Sequence, residues 1–495
     1  MSLQPARGVT AAGHPLSAAA GTRAYELGGN AVDAAVAAML ASFVAEPLLT
    51  GLGAGGLMTI AEPDGKATCL DFFVEAPGRG ANHDARAELL PWQVDFGDAT
   101  QVFNAGPASA GTYGTPAGIA HALKKFGRLN LRDLTSHAAG LARDGIEVSA
   151  HMDYLFSILI GIITANPECA EIFAPGGELL KEGGLLVQPQ LGDALDALGA
   201  EGSDPFYTGV IADRVAAWLE ERGGLITRED LASYEVVERE PVSTDYRGRQ
   251  IITPPPPSAG GILVGLTLAR LGEDPEAPSP EALVVAMEEA QKARTTEFLE
   301  GLNEEGFAEK FFDSHLGNTT HISTIDSDGL ACSVTCSNGS SSGVVVPGTG
   351  IHLNNMMGEQ DLNPHGFHMH PPGRRLPSMM TPTLVLNQSR PTMSVGSAGS
   401  NRIRSAIVQT LVQMIDVEAT VHDAVNAPRL HFEEGVVYAE PGIDIQPLEE
   451  TGHAVAAFQD RSLFFGGVQA AVKTTSGLLD GAGDPRRGGA CEVAE

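Results

Sequence analysis

Two hydroxyl side chains, Thr319 and Ser337, could serve as a nucleophile and its orienting partner. They lie in two alternating segments separated by a turn signal, a pattern that predicts a β-hairpin. If residues 327–329 form its loop, Asp326 pairs with Leu330 and Thr319 falls opposite Ser337. Both hydroxyls would then meet at the end of the hairpin, just before a loop rich in glycine and serine. The alternative is an ordinary edge hairpin in which Thr and Ser serve strand propensity and solubility.

The elements around this hairpin predict one large layered domain of mixed helices and strands, without internal repeats. Asn30 can cap an Ala-rich helix over 31–46, and its small residues on every side predict close packing in the core. Residues 392–403 read as a strand, a Gly/Ser-rich turn and the start of a helix. Such a turn can aim backbone N–H groups at an oxyanion.

Several further elements are predicted with defined bounds. They are helices over 262–271 and 281–300, an exposed connector over 301–316 and a short strand over 350–357.

The composition is that of an acidic globular protein. Among 495 residues, 43% are hydrophobic and 19% are charged, and the formal net charge is −31. The negative electrostatic potential of such a protein repels phosphate backbones and anionic lipid surfaces. We therefore expect neither nucleic acid nor a membrane as a partner. The sequence has no apolar run of the roughly 18 residues that span a membrane and no apolar core of a secretory signal. We therefore expect a cytoplasmic protein.

Metal and thiol chemistry find little support. The five cysteines are scattered and match neither a disulfide framework nor a zinc-ligand spacing. Cys332 and Cys336 share one face of a predicted strand, where we expect buried and unreactive thiols. The three histidines His365, His368 and His370 are close enough in sequence to hold a metal, but no carboxylate or cysteine accompanies them in a recognisable pattern. We favour a solvated loop there, and expect no metal and no cofactor.

Short motifs spread over nearly the whole chain occur together in one order. They are GGNAVDAAVAA (28–38), FYTG (206–209), GGLITREDLASY (223–234), PPPPSAGG (254–261), TTH (319–321), VVVPGTGIHLNN (344–355) and DPRRGG (484–489). Several are only moderately specific alone, but the ordered set is strong. Through these motifs the chain resembles the γ-glutamyltransferase family of N-terminal-nucleophile hydrolases.

The resemblance implies an α/β (α+β) fold, a four-layer αββα sandwich, made as a precursor that cuts itself at the Asn318–Thr319 bond. A larger segment 1–318 and a smaller segment 319–495 would form one domain and remain associated after cleavage. Once Thr319 begins a chain, its α-amino group, with an ordinary pKa of about 7.7–8.0, can act as the local base. The hydroxyl would attack an amide carbonyl, form an acyl-enzyme and pass the acyl group to water or an amine.

The resemblance also implies roles for other residues. Ser337 stands where the family places a second Thr that orients the nucleophile, and it keeps the hydroxyl. Gly399 and Ser400 stand where the family's glycine pair supplies oxyanion donors, with serine replacing the second glycine. Glu359 corresponds to the acidic residue that holds a substrate's α-ammonium group, and Asn338 to an asparagine of a loop that is shortened in this chain.

Two departures from the family pattern concern the substrate's α-carboxylate. Phe73 occupies the position of an arginine that grips this carboxylate as a bidentate pair, a contact that a phenyl ring cannot replace. The serine pair that also contacts it is reduced to Ser378 followed by Met379. The ammonium side of a γ-glutamyl pocket is thus retained, while the carboxylate side is dismantled.

Three functions are compatible with this sequence. The first is a self-processing Thr-dependent amidohydrolase or acyltransferase acting on a γ-glutamyl or related acyl amide or peptide. The second is an acylase on a non-glutamyl amide, as in a cephalosporin-acylase-like enzyme. The third is a non-catalytic homologue that only binds a ligand, against which the retained Thr319 and Ser337 argue. The sequence leaves open whether the processed unit forms a homodimer.

Overall fold

Two antiparallel β-sheets stacked face to face form the centre of the molecule, with helices covering both outer faces. The computed structural model describes residues 6–95, 100–292, 319–363, 366–450 and 452–495. This arrangement is the four-layer αββα sandwich expected from the sequence. Among the described residues, no helix has the length and apolar character needed to cross a membrane.

The strands within these ranges are numbered in chain order. They are β1 (Gly8–Ala12), β2 (Gly55–Ala61), β3 (Ala67–Phe72), β4 (Leu90–Asp95), β5 (Thr100–Ala105), β6 (Ile146–Glu147), β7 (Leu185–Leu186), β8 (Val237–Arg239), β9 (Val242–Tyr246), β10 (Arg249–Thr253), β11 (Thr320–Asp326), β12 (Ala331–Ser337), β13 (Val345–Val346), β14 (Ile351–His352), β15 (Thr383–Asn387), β16 (Arg390–Ala398), β17 (Leu430–Glu433), β18 (Val436–Ala439), β19 (Ala454–Ala457), β20 (Gly467–Lys473), β21 (Leu479–Gly483) and β22 (Ala490–Ala494).

The α-helices within the same ranges are numbered likewise. They are α1 (Pro15–Glu26), α2 (Ala31–Ala45), α3 (Thr115–Phe126), α4 (Leu131–Asp144), α5 (Ala150–Ile158), α6 (Ile160–Ile163), α7 (Pro167–Phe173), α8 (Pro189–Glu201), α9 (Asp204–Tyr207), α10 (Val210–Glu220), α11 (Arg228–Ala232), α12 (Ala259–Leu271), α13 (Pro280–Lys292), α14 (Arg402–Ile415), α15 (Val421–Asn426) and α16 (Gln446–Glu450).

The first large sheet has the strand order β22-β1-β11-β12-β2-β3-β8, and the second has the order β21-β20-β16-β15-β10-β9. Strands β11 and β12 of the first sheet pack on β16 and β20 of the second. Helices α1 and α2 cover the outer face of the first sheet, while α12 and α14 cover that of the second. The predicted hairpin is therefore the middle of the first sheet, so the edge-hairpin alternative is wrong.

A carboxylate fixes the turn of this hairpin. Asp326 Oδ1 accepts hydrogen bonds from Gly329 N at 2.9 Å and from Leu330 N at 3.0 Å. The backbone N–H of Asp326 donates to Leu330 O at 3.0 Å, and Gly329 has the left-handed φ of 95° that the turn requires. The other oxygen, Oδ2, accepts from Ala31 N at 3.2 Å, which ties the turn to the start of α2. The predicted pairing of Asp326 with Leu330 is confirmed.

Helix α2 is buried on all sides, as its Ala-rich sequence predicted. Its start is a reciprocal capping box, in which the Asn30 side chain accepts from Asp33 N and the Asp33 carboxylate accepts from Asn30 N. The helix ends at Ala45, one residue earlier than predicted, and Glu46 is its C-cap. Because small side chains allow close approach, this helix packs directly on β1, β11 and β12.

Other predicted bounds differ from the observed ones. The helix expected over 262–271 begins at Ala259, because the Ser258 hydroxyl caps it by accepting from Gly261 N. The strand expected over 350–357 is only Ile351–His352. The helix expected over 281–300 is described as far as Lys292, and the expected connector 301–316 lies outside the described residues.

The DPRRGG motif forms a buried ionic network. Asp484 Oδ2 pairs with Arg429 Nη1 at 2.7 Å, and Asp484 Oδ1 pairs with Arg486 Nη1 at 3.2 Å. Arg486 Nε also donates to Glu440 Oε1 at 2.7 Å. Although burial opposes ionisation, Arg429 and Arg486 lower the pKa of Asp484. The network joins β20, the end of β21 and the loops next to β17 and β18, at one end of the second sheet.

We expect Asp484→Ala to lower the free energy of unfolding by about 3–5 kcal/mol, because it leaves two buried guanidinium groups without their shared carboxylate. Urea-induced unfolding followed by circular dichroism measures the change. The matched control is Asp460→Ala, which removes an exposed carboxylate and should change stability by less than about 0.5 kcal/mol. Equal effects of the two substitutions would contradict a stabilising network.

Candidate active site

The observed register brings the two predicted hydroxyl residues together. In the β11–β12 pair, Thr320 lies opposite Cys336 and His321 opposite Thr335. One position earlier, Thr319 faces Ser337, and both residues are buried. The structure thus places a candidate nucleophile and a second hydroxyl side by side at the end of a central strand pair.

A small cleft surrounds these two residues and is lined mainly by apolar side chains. Two of the predicted substrate-contacting residues, Phe73 and Ser378, are part of its wall. The remaining lining residues are Met356, Leu362, Met379, Met380 and Ile403. Apart from three hydroxyl residues, the cleft is lined by methionine, leucine, isoleucine and phenylalanine side chains, and its volume of about 10 Å³ matches roughly one water molecule.

An arginine lies next to the cleft, and its charge is paired with two carboxylates outside the cleft lining. Arg375 is buried, and its guanidinium lies 3.5 Å from Asp71 Oδ1 and 3.4 Å from Glu75 Oε1. The same guanidinium donates to the Tyr234 hydroxyl and to the Phe73 carbonyl. Arg375 therefore holds the backbone of Phe73 in place and is not directed at a substrate carboxylate. Sequence reasoning missed Arg375, since no motif marks it.

Two other residues predicted to bind the substrate, Glu359 and Asn338, do not line the cleft. Glu359 is buried, and its Oε1 accepts from Ser340 N at 3.1 Å and from Ser340 Oγ at 3.0 Å. Burial raises the pKa of Glu359. The Asn338 side-chain amide is also buried, and within the described part of the chain it has no hydrogen-bond partner. The role of Glu359 in holding an ammonium group and that of Asn338 in substrate binding therefore stay predictions.

The predicted oxyanion turn follows β16 and leads into α14. Gly399 has φ 114° and Ser400 has φ 69°, a left-handed conformation that is uncommon for serine. Ile403, in the first turn of α14, lines the cleft, so this turn lies at its edge. The assignment of its N–H groups as oxyanion donors stays a prediction.

A buried chain of side chains holds this turn. The Asn401 side-chain amide donates to Glu433 Oε1. His431 Nε2 lies 3.1 Å from Glu433 Oε2, and His431 Nδ1 lies 2.7 Å from the Ser405 hydroxyl of α14. Sequence reasoning missed the chain, because its members come from β17 and from α14 with its N-cap, which are far apart in the sequence and match no motif.

The protonation states within this chain follow from burial and nearby charge. Burial lowers the pKa of His431, against the opposing hydrogen bond and charge of Glu433. For Glu433 burial acts in the opposite direction, but the hydrogen bond and charge of His431 and the nearby Arg404 and Arg402 lower its pKa to about 2. An ionised Glu433 carboxylate therefore accepts from the His431 imidazole and from the Asn401 amide.

His321, the third residue of the TTH motif, is structural. Its Nδ1 lies 2.8 Å from Thr335 Oγ1 and its Nε2 lies 2.9 Å from Ser323 Oγ. Burial lowers the pKa of His321 to about 3, so the ring is neutral. The ring packs against Gly396 of the second sheet, where a side chain would clash with it. With both ring nitrogens engaged, His321 is poorly placed to act as the base for Thr319.

The remaining predicted positions are only partly described. Asn318 and His365 lie outside the described residues. His370 Nε2 lies 2.7 Å from Leu362 O, and burial lowers the pKa of His368 to about 4. Within the described ranges, no three His, Cys, Asp or Glu side chains come together as a metal site. The five cysteines have free thiols, and Cys332 and Cys336 are buried as predicted.

Comparison with known proteins gives a consistent family match. A family model for Gamma-glutamyltranspeptidase matches residues 17–298 and 283–494. The Glutathione hydrolase proenzyme of Escherichia coli (strain K12) is 33% identical, over 93% of this chain and 87% of that protein. The Acylase ACY 1 proenzyme of Pseudomonas sp. (strain SE83) is 31% identical, over 96% of this chain and 91% of that protein.

Solved structures show the same relationship. The cephalosporin acylase from Bacillus halodurans matches with a TM-score of 0.85 and 25% identity, covering 100% of this chain and 97% of that chain. The Helicobacter pylori gamma-Glutamyltranspeptidase matches with a TM-score of 0.50 and 31% identity, covering 56% of this chain and 78% of that chain.

We expect Glu433→Gln to lower kcat on an acyl anilide about 10-fold or more with little change in KM, because the turn predicted to bind the oxyanion loses its charged anchor. Steady-state kinetics measure both constants. The control is Glu434→Gln, which alters the neighbouring exposed carboxylate and should leave kcat unchanged. A rise in KM with kcat retained would instead place Glu433 in substrate binding.

Proposed function

The chain belongs to the gamma-glutamyltranspeptidase family, and on that premise we propose that it is a self-processing hydrolase and acyltransferase whose nucleophile is Thr319. The observation that carries the proposal is the position of Thr319. It immediately precedes a buried central strand, faces Ser337 and lines an apolar cleft.

The chemistry follows from a threonine that begins a chain. The α-amine of Thr319 takes the proton of its own hydroxyl while Oγ1 attacks the carbonyl carbon of an amide. The tetrahedral intermediate collapses as the C–N bond breaks, and the leaving amine receives that proton. Water or a second amine then attacks the acyl ester and gives a proton to the α-amine. The ester C–O bond breaks, and Thr319 Oγ1 takes that proton and is a free hydroxyl again. Ser337 would orient the attacking hydroxyl, and the 399–400 turn would bind the developing oxyanion.

Self-cleavage before Thr319 creates this α-amine and yields fragments of 318 and 177 residues. Both large sheets contain strands from both fragments, which supports their staying associated. The relatives named as proenzymes are consistent with such a two-chain product. A cytoplasmic location and a homodimer of the processed unit belong to the same proposal.

Intact-mass spectrometry should find two chains in the purified protein, with the smaller one beginning at Thr319. Thr319→Ala should remain one chain of 495 residues, because it lacks the hydroxyl that attacks the preceding carbonyl. Ser327→Ala, in the exposed hairpin turn, is the control and should be cleaved like the parent. A parent that stays uncut and inactive after long incubation would refute the mechanism.

We propose further that the acyl group is less polar than γ-glutamyl and lacks its α-carboxylate. Phe73 and Met379 line the cleft where the family uses charged and hydroxyl groups. Arg375, the buried arginine nearby, is already paired with Asp71 and Glu75. A carboxylate placed against these apolar residues would lose hydration without gaining a charged partner.

A panel of anilides tests this specificity. We expect kcat/KM for a neutral acyl anilide to exceed that for the γ-glutamyl anilide at least about 10-fold, the effect of one missing charged hydrogen bond. Phe73→Arg should narrow or reverse that ratio by supplying a guanidinium beside Ser378. Phe73→Met, which keeps the wall apolar, is the matched control. A parent enzyme that prefers the γ-glutamyl anilide would refute the proposed acyl preference, but not the nucleophile.

A further inference from the structure

A second cavity lies on the helix side of the nucleophile strand, away from the acyl cleft. Its volume is about 420 Å³, within the range of small-molecule sites. The loop before α1, the end of α2, the start of α5 and the DPRRGG motif enclose it, and it shares no lining residue with the acyl cleft. We call it the Glu46 cavity, after the C-cap residue of α2.

Three polar atoms of its lining residues lack hydrogen-bond partners. They are Glu46 Oε2, Arg487 Nε and His151 Nε2, and all three are buried. Glu46 is 8% exposed and Arg487 is 5% exposed. Within the described residues no other side chain or backbone group satisfies these atoms, and leaving such a group unsatisfied costs about 1–3 kcal/mol. A polar ligand that came within hydrogen-bond distance of these atoms would remove that cost.

The two charged residues attract each other but do not meet. Each perturbs the pKa of the other through charge, yet no ion pair joins them in the described part of the chain. Two opposite charges held apart in one cavity are complementary to a zwitterion, whose ammonium group pairs with the carboxylate and whose carboxylate pairs with the guanidinium.

The rest of the lining is apolar and includes Leu48, Met152, Leu155 and Phe156. We propose that the Glu46 cavity binds a free α-amino acid with an apolar side chain, its ammonium group on Glu46 and its carboxylate on Arg487. Its side chain lies against the leucine, methionine and phenylalanine residues.

The cavity contacts the reaction site through both of its charged residues. Glu46 Oε1 accepts a hydrogen bond at 2.9 Å from the hydroxyl of Thr320, the residue after the nucleophile. Arg487 Nη2 donates to Leu463 O at 3.0 Å and packs so close to Gly399 that a Cβ there would lie 3.1 Å from Nη2. Through these contacts, a ligand in the cavity can affect the position of the segment that begins at Thr319 and of the predicted oxyanion turn.

Glu46 should make binding depend on pH. Burial raises the pKa of Glu46 to about 7, against the opposing effects of the Thr320 hydrogen bond and of Arg487. Burial lowers the pKa values of His14 and His151 to about 4 and that of Arg487 to about 10, so these groups do not titrate near neutrality. The ligand's ammonium needs the ionised carboxylate, so affinity should fall about 10-fold from pH 8 to pH 6.

Isothermal titration calorimetry of the processed protein with L-leucine, without an acyl donor, tests the site. We expect one site per processed pair. Binding should weaken at least about 10-fold for 4-methylpentanoate, which lacks the ammonium group, and for 3-methylbutylamine, which lacks the carboxylate. It should weaken similarly for L-leucine with Glu46→Gln.

A variant that blocks the Glu46 cavity tests whether L-leucine binds there rather than in the acyl cleft. Ala150→Trp fills the rim from an exposed position of α5 and should abolish binding. Glu26→Gln, an exposed charge change on α1, should leave it intact. Circular dichroism confirms that each variant is folded. The proposal is overturned if the parent shows neither heat of binding by calorimetry nor a saturation-transfer difference signal for L-leucine by NMR. It is also overturned if binding is unchanged in both Ala150→Trp and Glu46→Gln. The readout is independent of catalysis by Thr319.

Discussion

The register of β11 against β12 is the constraint on which the site depends. Successive side chains of a strand point to opposite faces, so a slip by one residue would exchange the surroundings of Thr319 and Thr320. The Asp326 carboxylate prevents that slip, because it binds both N–H groups across the turn and the first N–H of α2. The turn lies at the far end of the strand from Thr319. The position of the Thr319 hydroxyl is thus set by a polar contact about 20 Å away along the strand.

Local chemistry explains what the sequence could predict. The hairpin register follows from a turn of three residues, and the start of α2 follows from Asn30 and the residues after it. The order of short motifs was enough for the four-layer fold. The predicted ends of helices were wrong where a capping side chain outside the periodic pattern determines the first residue. Ser258 at the start of α12 is an example.

The contacts that the sequence did not reveal join residues that are far apart in the chain. Arg375 reaches the carbonyl of Phe73 across 302 positions of the chain, and Asn401 reaches Glu433 across 32. No local pattern encodes such contacts, since each partner is an ordinary polar residue in its own segment. Phe73 at the arginine position could be recognised in the sequence. The pairing of Arg375 with Asp71 and Glu75 is visible only in the three-dimensional structure.

Strand β1 pairs with β11 on one side and β22 on the other, so a strand of the first segment lies between two strands of the second. While the chain is continuous, these partners are held at high effective concentration by their own tether. If the chain is cut before Thr319 as proposed, reassembly of the two pieces would require two molecules to meet, each presenting unpaired strand edges prone to mispairing. Folding as one chain with cleavage afterwards would then be the productive order, and the cut protein would depend on slow unfolding rather than on ready refolding.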